Sequence, residues 1–374
     1  MPHIFGSAEL LEDVHKRDLC IGCGACVDLC PYFKNYKGKT SQLFPCNLEQ
    51  GRCFAYCPKA EVDLNELTHK IRRVDYDGSP LGPCREVLAS RAGNQMVKGA
   101  FQAGGTVSSL MAFALKNRLI DAAVLTDRNG LTPISRLATN WKNVADCASS
   151  KFMASPTLSA LNMAVREGYK RIGVVGTPCQ MTAVAQMRNN PLQKEEHVPV
   201  ELSVGLFCNW SVDTRQLMDL LAQRLEISDI RRMDIPPPPA NILTLETVNG
   251  SVEVSLSDIK PLIPHTCFVC PDMTAEFADL SAGMLEGRPG WNTLIIRSDM
   301  GAEIVDQARR EGFIETEPFP EDNLQHLSKA AAEKKERSVR TLIRRGLLNN
   351  EKGERAAIRI PQGIVDKILR SPRD

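Results

Sequence analysis

The stretch "TLSALNMAVREGYKRIGVVGTPCQ", residues 157–180, decides the fold. Its first half reads as a helix. Its second half, "RIGVVGT", reads as a buried strand, and Cys179 stands just past the strand's end. The same order recurs on both sides. Upstream, "TVSSLMAFALKNRLI" has apolar residues at helical spacing and "DAAVLTD" is a buried-strand run. Downstream, "VELSVGLF" is a third strand, ending at Cys208. Helix and strand alternate, so an α/β unit is expected over residues 88–325, with a mostly parallel or mixed sheet covered by helices. "DIPPPPANILTLETVNGSVEVSLSD" interrupts the alternation. Its prolines at 236–239 enforce an extended loop, and the β-rich segments around Asn249–Gly250 read as a hairpin.

At 374 residues the chain is long enough for more than one structural unit. A hydrophobic fraction of 43% and a charged fraction of 24% are ordinary for a globular protein. The formal net charge of +1 gives no global field toward nucleic acid or a membrane. No run approaches the roughly 18 apolar residues of a membrane span. The start, "MPHIFGSAELLEDVHKRD", lacks the basic-then-apolar order of a secretory signal. A cytoplasmic, reducing setting is therefore expected, where 13 cysteines argue for metal or redox chemistry rather than disulfides.

The cysteines begin with "CIGCGACVDLCP", residues 20–31. Cys20, Cys23 and Cys26 have C-x2-C-x2-C spacing, and Cys30 follows three residues later with Pro31 behind it. This is the bacterial ferredoxin run, in which three thiolates grip one [4Fe–4S] cluster and the fourth ligates another. A tight loop must aim several sulfurs at one cubane, so Gly22 and Gly24 supply the turns. "CNLEQGRCFAYCPK", residues 46–59, repeats the ending at Cys53, Cys57 and Pro58. In the crossed pattern Cys57 completes the cluster of Cys20, Cys23 and Cys26. A second cluster then takes Cys30, Cys46 and Cys53, which is one thiolate short. Cys84, an oxygen or nitrogen side chain, or a three-iron cluster would each resolve the shortfall. A degenerate second site with Cys46 as a structural thiol is the other reading. This ferredoxin-like unit spans residues 1–65, and a linker follows over 66–87; across their junction "EVDLNELTHKIRR" reads as a short helix on apolar spacing, and "YDGSPLGPC" reads as the irregular part.

Four later cysteines stand at telling places. Cys179 and Cys208 follow strands, and Cys267 and Cys270 form "CFVC". Strand ends of an α/β sheet converge at one edge, where ligands bind. Thiolates from these segments could surround one cubane; equally, Cys179 and Cys208 could be buried small hydrophobes. Gly104, Gly105 and Thr106, ahead of a helix, form a backbone donor site suited to phosphate or a cofactor ring, or only a tight turn. The tail, residues 326–374, is basic and helical. From Lys329 onward it has 13 Lys or Arg against six Asp or Glu. Val339, Leu342, Ile343, Leu347 and Leu348 fall near one helix face. A solvated helix packed on its own chain and a docking helix for a partner subunit both fit. Nucleic-acid binding does not, because no aromatics interleave the basic residues.

Six ordered motifs make the chain recognisable: "AGGTVSSLMAFALKNRLIDAAV", "SSKF", "GTPCQMTAV", "GLFCNW", "CFVCPDMTAEFADLSAG" and "GWNTLIIRSDMGAEIVDQA". Together they resemble the beta subunit of coenzyme F420-reducing hydrogenase. That family of iron–sulfur flavoproteins also includes beta subunits of deazaflavin-dependent formate dehydrogenases and a plant chlorophyll-pathway reductase. The resemblance covers about residues 80–320. It implies a flavin-dependent oxidoreductase with FAD in the α/β unit and a [4Fe–4S] cluster beside it, held by Cys179, Cys208, Cys267 and Cys270. With the N-terminal cysteines, two or three clusters result. The resemblance places FAD contacts at Gly104, Gly105, Thr106, Ser150, Lys151, Gly176, Thr177 and Pro178. It implies electron relay between the clusters and coenzyme F420 or NAD(P)H, with larger oxidoreductase subunits as partners. Hydrogenase, formate dehydrogenase and heterodisulfide-reductase-type complexes are the candidates. A self-standing reductase and a non-catalytic electron-transfer adaptor are the alternatives. The flavin would do the chemistry, so no catalytic side chain is expected. Cys84 departs from the family, where a tyrosine is expected.

Overall fold

The computed structural model describes residues 4–96, 99, 101–189, 192, 197–236, 239–351 and 353–370. Its centre is an eight-stranded mixed sheet. In spatial order the strands are Ile314–Pro318, Glu86–Ala92, Asn292–Ile296, Leu280–Met284, Val200–Leu206, Ile172–Gly176, Ala122–Asn129 and Thr132–Ala138. The middle of the sheet, from Leu280–Met284 to Ala122–Asn129, is parallel, and the outer pairs are antiparallel. Ile172–Gly176 is buried at every residue, as a parallel strand with both faces covered must be. Helices Thr106–Lys116, Thr157–Arg166, Pro178–Arg188 and Asp299–Arg310 cover the faces. This is the α/β architecture expected from the alternation.

The register fixes which residues share an edge. Gly176 lies opposite Gly205, Leu206 opposite Ala282, Met284 opposite Asn292, and Asn292 opposite Ser90. The carboxyl ends of Glu86–Ala92, Ile172–Gly176, Val200–Leu206 and Leu280–Met284 therefore point the same way. A smaller antiparallel sheet, Ile230–Asp234, Ile242–Thr247 and Gly250–Ser255, carries the expected hairpin and closes its own apolar core with helix Thr214–Ala222. Of the proline run at 236–239, positions 237 and 238 lie outside the described residues.

The N-terminal cysteine-rich segment shares its core with the sheet. Leu10, Leu19, Phe33, Phe54 and Tyr56 belong to one apolar cluster with Leu158, Val174, Met181, Val269, Val339 and Leu342. The short helix expected in "EVDLNELTHKIRR" is Leu64–Arg72, N-capped by the Asp63 side chain, and it runs into the stretch at 66–87.

The C-terminal region packs on its own chain. Helix Glu321–Arg344 crosses the molecule, the segment Ile358–Arg359 pairs in parallel with Val62–Asp63, and helix Gln362–Arg370 ends the fold. Arg17 and Arg345 donate to each other's carbonyls at 3.2 and 2.9 Å. Arg355 meets Asp13 at 2.9 Å and Arg359 meets Glu61 at 2.8 Å. Val339, Leu342 and Leu347 are fully buried, worth about 1.5–3 kcal/mol each in transfer from water. Ile343, expected on the same face, is 45% exposed; the helix turns it outward. Ala331, Lys334, Lys335 and Ser338 are buried instead. Among the described residues no helix is long and apolar enough to cross a membrane.

Candidate functional site

The first cysteine loop is shaped by backbone constraints. Gly22 and Gly24 have φ of +67° and +87°, and a Cβ on Gly24 would sit 2.5 Å from the Pro156 carbonyl. Only glycine permits that approach. The Leu158 amide donates to the Cys23 carbonyl at 3.1 Å. Buried Asn162 donates to the carbonyls of Ala25 and Val27 at 3.0 and 2.7 Å. Helix Thr157–Arg166 thereby clamps the loop against the sheet unit. Cys20, Cys23, Cys26, Cys53 and Cys57 line one internal cavity. Burial first, then the charges of Cys57, Cys179 and Cys20, push the Cys23 thiol well above its ordinary value. Burial, opposed by a hydrogen bond from the Lys59 backbone, pushes Cys57 up to about 12.

Cys30, Cys46 and Cys53 form a second gathering. Burial raises Cys53 to about 11, and Cys30 and Cys46 add to the rise. Cys84 is exposed and lies in the field of Arg297, at the start of the strand Glu86–Ala92. The structure sets it beside the sheet rather than with Cys30, Cys46 and Cys53.

The late cysteines converge at the sheet's carboxyl edge. Thr177 caps helix Pro178–Arg188 through a reciprocal box with Gln180, and Pro178 takes the first helical turn, where its missing N–H costs nothing. Cys179 is thus presented at the helix N-terminus, 3.3 Å from the Thr177 hydroxyl. The Cys208 amide donates to the Met273 carbonyl at 2.9 Å, tying the strand end to the loop that follows Cys270. That loop is built by carboxylates. Asp272 accepts from the amides of Thr274, Ala275 and Glu276. Asp279 accepts from the Ser203 amide and hydroxyl and from Arg188. From the C-terminal helix, buried Lys334 donates to the carbonyls of Cys208 at 2.5 Å and Asp272 at 2.7 Å, and Ser338 donates to Cys270 at 2.8 Å. Burial pushes Cys179 up to about 11, with Cys270 next among the causes. It also raises Cys208, opposed by Lys334 and reinforced by Cys267, Cys179 and Cys270. The four thiols therefore lie near enough to act on one another, and Cys179 and Cys270 line one cavity.

The residues assigned to a flavin divide into two kinds. Thr106 is consumed by the fold: its hydroxyl is buried against Ser90 at 2.9 Å and its amide donates to Asn292 at 3.2 Å. Thr177 and Pro178 are committed to the helix start. Gly104 and Gly105 lie at the same sheet edge, Gly105 with φ +78° beneath the Phe101 ring. Ser150 joins them, its amide donating to Gln102 at 3.2 Å. Lys151 folds back on its own loop, donating to the carbonyls of Cys147, Ala148 and Ser149 at 2.7, 3.2 and 2.9 Å. Burial lowers its pKa to about 8.

Three family models match the chain. The beta subunit N-terminal model of coenzyme F420 hydrogenase/dehydrogenase spans residues 87–162, and its C-terminal counterpart spans 169–322. A 4Fe-4S binding domain model spans residues 14–32. An uncharacterized protein of Methanocaldococcus jannaschii is 30% identical over 82% of this chain and 91% of its own length. The chain belongs to the coenzyme F420 hydrogenase/dehydrogenase beta subunit family. Coenzyme F420 hydrogenase subunit beta of Methanococcus voltae is 27% identical over 71% of this chain and 96% of its own. The structure of the F420-reducing [NiFe] hydrogenase complex from Methanosarcina barkeri contains a chain that superposes with a TM-score of 0.66 at 26% identity, covering 71% of this chain and 94% of that one. Within this beta-subunit-family chain, the models take in Cys20–Cys30, the Gly104–Gly105 turn, Lys151 and all four late cysteines. Cys46, Cys53, Cys57 and everything after residue 322 fall outside them.

Proposed function

We propose that this protein relays electrons between [4Fe–4S] clusters and a two-electron carrier, coenzyme F420 or NAD(P)H, through FAD, as one subunit of a larger oxidoreductase. Cys20, Cys23, Cys26 and Cys57 would hold the first cluster, and Cys179, Cys208, Cys267 and Cys270 the inner one. Cys30, Cys46 and Cys53 supply three thiolates to an outer cluster. The donor sets fit. Cys20, Cys23, Cys26 and Cys57 line one cavity, and Cys179 and Cys270 line the cavity beside it. A four-iron cubane takes one thiolate per iron and so suits four thiols spread around a common space. When bound, the clusters supply one-electron transfer, and the flavin converts between one- and two-electron steps.

The observation that carries the reading is the position of Cys23. The cavity that Cys23 lines with Cys20, Cys26, Cys53 and Cys57 shares Pro58 and Lys59 as a wall with the cavity lined by Cys179 and Cys270, so the first group and the inner group are neighbours. The chain's own residues then do three things. Asn162 and Leu158 hold the first cysteine loop at the sheet. The Thr177 cap and the Asp272 turn aim the inner thiols inward. The Gly104–Gly105 turn, Ser150 and Lys151 border the sheet edge on which a flavin would lie, close to the inner thiols. Leu43, Phe44 and Leu48, flanking Cys46, are 54%, 60% and 65% exposed. They supply an apolar face for a larger subunit to dock beside the outer thiols.

Anaerobic purification with iron, sulfide and flavin quantified, followed by reduction assays with coenzyme F420, NADH and NADPH, tests the reading. About eight or more irons and one FAD per chain are expected, given four irons to each complete cluster. A chain with no iron beyond the first group's complement, or with no flavin, would overturn it.

A further inference from the structure

Lys59 follows Cys57 and Pro58 and is only 3% exposed. Among the described residues its ammonium has one hydrogen bond, to the Thr266 carbonyl at 3.3 Å, and no carboxylate partner. A buried ammonium with one of its three donors satisfied is expensive unless an anion compensates it. Another buried lysine, Lys335, shows what compensation by a carboxylate looks like: it has Glu276 at 2.8 Å. Among the described residues, cysteine sulfurs approach Lys59 from two directions, while the carboxylates of the shared cavity are taken, Asp272 by backbone amides and Glu276 by Lys335. With Pro58 it forms the common wall of two cavities, one lined by Cys20, Cys23, Cys26, Cys53 and Cys57, the other by Cys179 and Cys270. Its charge acts on Cys57, on Cys179 and on Cys267.

We propose that Lys59 is a positioning residue for electron transfer, a shared counter-ion lodged between the first N-terminal cluster and the inner cluster. A cubane with its four thiolates carries net negative charge and becomes more negative when reduced. A fixed cation between two such groups stabilises the reduced form of each and raises both potentials. It also fills the gap between them with charge rather than solvent. Lys334 provides the contrast. It faces Cys208 and Cys270 from the C-terminal helix, on the inner group's side only. Lys334 thus serves the inner cluster alone, and Lys59 is held in common.

The inference rests on the cluster assignments above, and the test separates the two. Iron and sulfide content of the parental chain checks the clusters. EPR-monitored redox titration of Lys59→Gln, Lys59→Arg and Lys334→Gln then checks the counter-ion. Lys59→Gln should keep its iron and move the midpoint potentials of both clusters in the negative direction. Lys59→Arg, which retains the charge, should restore them toward the parental values. Lys334→Gln should move the inner cluster only. Unchanged potentials in Lys59→Gln, a shift confined to one cluster, or equal loss of iron in Lys59→Gln and Lys59→Arg would each overturn the proposal; the last would make Lys59 a packing residue.

Discussion

The first N-terminal thiols and the inner thiols end in similar surroundings but reach them differently. Cys20, Cys23 and Cys26 come from one short loop, with Cys57 a little further on. Cys179, Cys208 and the Cys267–Cys270 pair come from three distant segments that meet only because parallel strands share a carboxyl edge. In the first group local geometry does the aiming, through glycines that no other residue can replace. In the inner group the sheet does it, helped by a helix cap, a carboxylate-built turn and a lysine from the C-terminal helix. A site of the second kind is as well defined as the fold around it, and no better.

Cysteine substitutions should expose that difference most strongly. Cys179→Ala should remove about four irons per chain, since a cubane needs its four thiolates. It should also stop electron transfer between the N-terminal clusters and a bound flavin while leaving reduction of the flavin by its carrier intact. Cys23→Ala should remove a similar amount of iron, but its backbone carbonyl can still accept from Leu158, so the loop keeps its clamp and flavin content should hold. Iron analysis and stopped-flow reduction of each variant check this. Full iron and normal transfer in Cys179→Ala would sink the inner cluster. Loss of flavin in Cys23→Ala would show that the shared core ties the two groups more closely than the ligand sets suggest.

The next effect is on the buried ion pair that holds the C-terminal helix. Lys335 and Glu276 are 2% and 5% exposed and paired at 2.8 Å, with Tyr76 and the Ser79 carbonyl also on the lysine. Burial lifts Glu276 to about 7, opposed by Lys335. Lys335→Met should cost about 3–5 kcal/mol, the usual penalty for leaving one buried charge without its partner. Adding Glu276→Met should recover most of it. Urea unfolding midpoints of the anaerobic proteins measure both. A single variant as stable as the parent would mean that the C-terminal helix is held by its apolar face alone.

How much of this could be read in advance follows the same division. The spacing of Cys20, Cys23, Cys26 and Cys30 carries its chemistry in the chain itself. The strand-then-cysteine order at Cys179 and Cys208 was legible because parallel sheets gather strand ends. Lys59, Asn162, Lys334 and Lys335 were not read, since a lone lysine or a charged run such as "EKKER" looks solvated. One signal was present: Ala331, Lys334, Lys335, Ser338, Val339 and Leu342 fall at three- and four-residue steps, which puts both lysines on the apolar face. Ile343 was misplaced because the face was drawn through the hydrophobic residues without those lysines. Cys84 drew attention by chemistry alone, whereas its position was fixed by the strand that follows it.

The smallest expected effect concerns the sheet edge where the two kinds of site meet. Lys151 spends its ammonium on the carbonyls of Cys147, Ala148 and Ser149, and burial lowers its pKa from 10.5 to about 8. In the flavin-free chain a depressed lysine makes the fold gain stability as pH rises from about 8 toward 10.5, and lose that gain as pH falls through 8. A flavin whose anionic groups lie against Lys151 would have the opposite preference, because it binds the protonated form. FAD affinity of flavin-depleted protein should therefore be flat below pH 7 and fall as pH rises through about 8, by no more than about tenfold per pH unit for one proton. Lys151→Met should weaken binding at pH 7 and flatten the profile. Fluorescence titration with FAD at a series of pH values gives both curves. If the variant keeps the parental affinity and the parental slope, Lys151 serves only to cap its own loop, and the flavin rests on the Gly104–Gly105 side of the edge.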